Sequence, residues 1–136
     1  MKHKIVHIIT RLDKGGSSEN VLLTVTYFAQ KGYRCSLIYG KTVDPPLELI
    51  RKAKTAGVEF IPVTSLVRSI NPLCDFLAFL RLLRFLRFLR PSIVHTHSSK
   101  AGILGRWSTW LSRYLISDIR YPMIVHTPHG HVFYGY

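Results

Sequence analysis

Acidic side chains are scarce in this chain: seven Asp and Glu in 136 residues against 19 Lys and Arg, for a formal charge of +12. The shortage bears on chemistry first. A hydrolase built on paired carboxylates needs two acids at one site, and only Asp13 falls where the expected site lies. Cysteine is as sparse. Cys35 and Cys74 lie in different expected elements without C-x-x-C spacing, so neither a zinc knuckle nor a disulfide framework is indicated, and a reducing, cytoplasmic compartment fits. No stretch reaches the roughly 18 apolar residues of a membrane span, and MKHKIVHIIT, interrupted by His7, is too short in its apolar part for a secretory leader. Three motifs are also missing. Without G-x-G-x-x-G, G-x-x-x-x-G-K-[ST] or G-x-S-x-G, the dinucleotide enzymes, the P-loop ATPases and the elbow-type acyl transferases all lose support.

What is present describes a globular domain. Hydrophobic residues make up 47% of the chain and aromatics 12%, enough apolar surface to offset the entropy of ordering. The length suits one domain spanning 1–136. The excess of positive charge asks for an anionic partner: a phosphate-bearing ligand, a nucleic acid or an anionic lipid surface.

Patterning along the chain alternates strand and helix. KIVHIIT (4–10) is nearly all apolar, as a parallel strand covered on both faces should be. A glycine loop follows, with Ser17 and Ser18 as natural caps for a helix to about Lys31, which Gly32 stops. The cycle continues through strand 34–40, helix LELIRKAKTA, strand 58–63, a long helix ending at Arg90 before Pro91, strand SIVHTH, a helix from about Ser99 to Leu115, and strand MIVHTPH. Five strands alternating with four helices make a Rossmann-like, doubly wound parallel α/β sheet. HGHVFYGY then ends in an aromatic loop with no closing helix, so the chain is expected to be the first part of a larger protein.

Ligands of such sheets bind beyond the carboxyl ends of the strands, where helix N-termini offer backbone N–H groups to anions. Three segments fall there: DKGGSS, HTHSSKAG and HTPHGHVFYGY. Gly15 and Gly16 let the backbone approach a ligand, or serve only as a turn and helix start. His95, His97, His126, His129 and His131 gather at the ends of strands four and five. Zinc is their obvious ligand, but H-x-H followed about thirty residues later by H-x-x-H-x-H has no accompanying cysteine or carboxylate and fits no standard zinc spacing; no metal is expected. Ser98 and Ser99 are either helix caps or hydroxyls for phosphate or sugar, and Lys100 either adds a cation to the site or is simply solvated.

The segment DFLAFLRLLRFLRFLR (75–90) carries its own signal. At 100° per residue, Phe79, Leu82, Phe85, Leu86 and Leu89 form an apolar arc fit to pack on the sheet. Arg81, Arg84, Arg87 and Arg90 spread over the other half among Phe76, Leu77, Leu80, Leu83 and Phe88. That mixture suits an anionic membrane interface; the plainer reading is a sheet-covering helix whose arginine stems shield apolar neighbours.

HIITRLDKGGSSENVLL, SIVHTHSSKAGILGRWS and IVHTPHGHVFYGY together resemble the N-terminal domain of retaining glycosyltransferases of family four, GT-B enzymes of bacterial polysaccharide and glycolipid synthesis. The likeness runs the whole chain in order, and HTHSSKAGILGR and HTPHGHVFYGY carry most of it. It implies the acceptor-side half of a two-domain enzyme that moves a sugar from a nucleotide-sugar donor to a saccharide or lipid-linked acceptor. By position, Gly15, Gly16 and Lys100 would meet the donor phosphates or sugar. His97 would be catalytic, beside the transferred sugar, while Asp13, Ser98, Ser99, His129, His131 and Tyr134 would face the acceptor. From the pattern of 75–90 itself, Arg81, Arg84, Arg87 and Arg90 are expected to touch the inner face of the cell membrane. No metal or other cofactor is implied. The family's second domain, with its E-x7-E motif, is not in these residues, so the chain alone is expected to be inactive. A basic nucleic-acid-binding module or a non-catalytic remnant would also explain the charge, but no recognition helix or aromatic sheet face supports the former.

Overall fold

Three apolar strands set the centre of the molecule. In a computed structural model, which describes residues 3–115 and 122–128, β1 (Lys4–Ile9), β2 (Arg34–Tyr39), β3 (Glu59–Pro62), β4 (Ile93–His97) and β5 (Met123–Thr127) form one sheet. Every pairing is parallel, and the order is β3-β2-β1-β4-β5. Parallel neighbours need crossover connections, and here the crossovers are α1 (Gly16–Gln30), α2 (Leu47–Thr55), α3 (Pro72–Leu89) and α4 (Ser99–Leu115). The doubly wound arrangement expected from the alternating pattern is the one the chain adopts.

Period-two alternation along β1 divides the core into two layers. Ile5 and Ile9 face one side with Cys35 and Leu37, and are covered by Val21, Leu22 and Val25 of α1 and Ala53 of α2. Val6 and Ile8 face the other side with Ile38, Ile61 and Val94, under Ala78, Leu82, Leu86 and Leu89 of α3 and Ala101 of α4. The expected apolar arc of α3 is thus largely the buried one, with Ala78 rather than half-buried Phe79 at its first position.

Helix ends follow local chemistry, with two departures from expectation. At α3 the side chain of Asn71 accepts from Cys74 N–H at 3.2 Å, Pro72 opens the helix, and Arg90 in the left-handed region closes it before Pro91. The α1 start differs: its cap position is Gly15, with φ of 154° and no side-chain cap, while Ser17 and Ser18 lie inside the helix and Ser18 is buried. Glycine's freedom at that φ, not a serine hydroxyl, lets the chain turn from β1 into α1. At α4 the capping hydroxyl comes from another strand. Thr10, one residue past β1, accepts from the Ala101 N–H at 3.1 Å and shares a hydrogen bond with Ser98 Oγ at 2.7 Å.

Candidate functional site

The strand order runs outward from β1 in both directions, so the helices after β1 and β4 leave on opposite faces and a gap opens between them at the carboxyl edge. That gap is where open α/β sheets bind ligands. Here it is a cleft of about 620 Å³. Its walls come from the β1 end (Thr10, Arg11), the first turn of α1 (Ser17), the loop before α3 (Arg68, Ile70) and the start of α4 (Ser98, Ser99, Lys100). Arg11, Arg68 and Ser99 are exposed, so the opening presents guanidinium groups and hydroxyls beside two helix N-termini, a setting that favours an anion.

Each expected residue among the described ones has a definite place. Lys100 is neither solvated nor unengaged: its ammonium pairs with Asp75 Oδ1 at 2.8 Å and donates to the Ser69 carbonyl. Asp75, from the first turn of α3, therefore joins Asp13 at this edge, where the sequence had suggested Asp13 alone. Asp13 itself is turned to structural use. Its Oδ1 accepts from the N–H groups of Val43 and Asp44, both at 2.7 Å, holding the loop after β2 against the loop after β1. Ser98 and Ser99 line the cleft, while Gly15 and Gly16 sit exposed at the α1 start, with open space where a Cβ would go. His129, His131 and Tyr134 lie outside the described residues.

The described histidines do not form the single edge cluster expected of them. His126 goes to the α4 face, where Nδ1 is 2.9 Å from Thr96 Oγ1 and a Cβ at position 102 would come within 2.5 Å of its ring; Gly102 is what admits it. Burial and the nearby Arg106 charge lower its pKa, against a hydrogen bond to Thr96 that raises it. His95 and His97 point to the opposite face, because alternate residues of a strand share a side. His97 is the last residue of β4, is only 1% exposed, and is not among the residues lining the cleft.

The partner of these two was not foreseen. His7 of β1 lies opposite His95 in the strand register, and its Nδ1 is hydrogen-bonded to His97 Nε2 at 3.1 Å. The three rings pack with centroids 4.1 to 5.4 Å apart. Nothing local in KIVHIIT marks His7 for this role; the contact is set by the β1–β4 pairing, which joins positions ninety apart.

The family's model for Glycosyltransferase Family 4 matches residues 14–136. This chain belongs to that glycosyltransferase family. Among solved structures it is similar to the crystal structure of a glycosyltransferase from Rickettsia africae ESF-5, with a TM-score of 0.61 and 18% identity over 92% of this chain. At that identity the likeness speaks for the fold, and the chain spans 29% of the length of that protein. No curated protein matches. In this family 4 domain the cleft, the α4 cap and the histidine cluster all draw on the same two strands, β1 and β4.

Burial, and secondarily the neighbouring His95, depresses the His7 pKa from 6.5 to about 3. The unfolded chain then takes up this proton before the folded one does. The contribution of His7 to stability is complete above about pH 6.5 and is lost as pH falls toward about 3, at a slope of up to about 1.4 kcal/mol per pH unit. Urea melts between pH 7 and 5, in buffer containing a chelator, should show this slope in the native chain and a shallower one in His7→Gln. An unchanged slope would remove His7 from the acid sensitivity.

Proposed function

We propose that this family 4 domain is the acceptor-side half of a retaining GT-B glycosyltransferase of bacterial polysaccharide or glycolipid synthesis. The donor-binding half, with its nucleotide-sugar site, is a second Rossmann-like domain. The observation that carries the reading is the cationic cleft at the β1–β4 gap in a chain matched by the family over residues 14–136. Sugar transfer from a nucleoside diphosphate develops negative charge on the leaving phosphate. Stabilising that charge takes preorganised cations and N–H dipoles. Arg11 and Arg68 supply the first, and the starts of α1 and α4 the second. In this reading transfer proceeds without a catalytic metal, and the acceptor binds along Ser98 and Ser99 toward the segment containing His129, His131 and Tyr134.

Two roles change from those the family resemblance implied. Lys100, held by Asp75, fixes the α3 and α4 starts relative to each other as well as adding charge to the cleft. His97 is proposed as a positioning residue: its buried ring, tied to His7, sets the end of β4 from which Ser98 and α4 are presented.

The outer face of α3 is proposed to rest on an anionic membrane. Arg81, Arg84, Arg87 and Arg90 are all exposed, as are Phe76, Leu77, Leu80 and Phe88, the last at 83%. No helix among the described residues is long and apolar enough to cross a membrane, so contact would lie in the interface, with rings and leucines seated among acyl chains and guanidinium groups at the phosphates.

Two measurements test these readings. Incubated alone with UDP- or GDP-sugars, the chain should release no nucleoside diphosphate and glycosylate no acceptor; turnover by the isolated chain would contradict the division of labour. In flotation assays the chain should bind phosphatidylglycerol vesicles and not phosphatidylcholine ones. The triple variant R81E/R84E/R87E should lose at least about a hundredfold in affinity, from about 1 kcal/mol per basic residue removed. Equal binding by the variant, or stronger binding to RNA than to the anionic vesicles, would overturn the membrane reading.

A further inference from the structure

The histidine cluster has a geometry that neither the cleft nor the proposed sugar transfer uses. His95 and His97 form an H-x-H pair on one face of β4, and His7 enters from the neighbouring strand. Each of the three offers one ring nitrogen, and these atoms lie within 4.8 Å of one another. Three imidazoles converging from two adjacent strands are a donor set for zinc, which takes three histidines and leaves a fourth, tetrahedral position open. Nitrogen donors without carboxylate argue against magnesium and calcium, which prefer oxygen.

We infer that His7, His95 and His97 bind a single divalent transition-metal ion, zinc by donor chemistry, which clips β1 to β4 beneath the cleft.

His7 supplies the most specific support. Its Nδ1 meets His97, while its Nε2 is buried and has no partner among the described residues. A buried polar atom without a partner calls for an explanation, and an ion is one of the standard ones. If His7 donates from Nδ1, the unpartnered Nε2 holds a bare lone pair; if His97 donates, His7 buries an N–H with no acceptor, the more costly arrangement. Around the site, Thr127 Oγ1 is 2.7 Å from His95 Nε2 and fixes that ring from β5, as ligand histidines are usually fixed through their second nitrogen. Half-buried His95 and the half-buried face of β5 give the ion a way in.

The ion is proposed as a structural clip, not as the electrophile of sugar transfer, so this inference stands or falls apart from the catalytic reading. The test uses the untagged chain, freed of metal by chelation, with cobalt(II) and zinc(II) chloride as probes. One cobalt per chain should bind with the intense visible bands of tetrahedral coordination, zinc should displace it, and the melting temperature should rise with zinc concentration. His7→Gln should weaken zinc binding by more than about a hundredfold, beyond what loss of an outer hydrogen-bond partner costs. His3→Gln, at an exposed histidine whose ring is 3.3 Å from Ser92 Oγ, should leave binding unchanged, and circular dichroism should show both variants folded. Absence of stoichiometric binding would overturn the site. So would binding that survives His7→Gln in a folded chain, or that is lost only on His131→Gln.

Discussion

The cleft, the α4 cap and the histidine cluster all depend on one pairing, the parallel contact between β1 and β4. Because β1 also pairs with β2, the chain leaves the centre of the sheet in two directions, and helices go to opposite faces on either side of that seam. The gap between them makes the cleft. The same register puts His7 opposite His95 and brings Thr10 to the Ala101 N–H. Cleft, cap and histidine cluster are therefore three consequences of a single strand contact. Weakening the seam would disturb all of them together.

The distribution of charge sharpens what +12 means. Arg11 and Arg68 face the cleft, while the arginines of α3 line an outer helix surface amid phenylalanine and leucine. Single-ligand recognition and adhesion to a surface make different demands on cations. A cleft needs a few held in place, as Lys100 is by Asp75; a membrane-facing helix needs several that remain solvated and extended. The two regions share α3 itself, since Asp75 of its first turn braces the cleft and its later turns carry the basic face. The cleft and the proposed membrane face of α3 are thus joined by one helix.

Sequence patterning made the elements legible because their causes are local. Apolar runs bounded by Gly and Pro located all five strands within a residue or two, and Asn71 with Pro72, or Gly32 with its φ of 92°, mark helix ends through bonds a few positions long. The site was read less well, for a physical reason. Which of seven histidines share a face depends on register, and the His7–His97 bond links residues ninety apart. Nor does any local rule show that Thr10 replaces Ser98 or Ser99 as the hydroxyl acceptor for α4, that Asp75 neutralises Lys100, or that Asp13 ties two loops together. In each case a polar group found its partner across the seam or between loops, where neighbours in space are remote in sequence. H-x-H was visible as a motif, but its third member was not.

The central claim is that the β1–β4 gap is an anion-binding cleft. Titrating inorganic pyrophosphate into the isotope-labelled chain and following backbone amide resonances tests it directly. The account predicts saturable shifts concentrated at 10–17, 68–70 and 98–101, weakened in an R11Q/R68Q variant. Shifts confined to the outer face of α3, or spread evenly over the basic surface and unaffected by that variant, would contradict it.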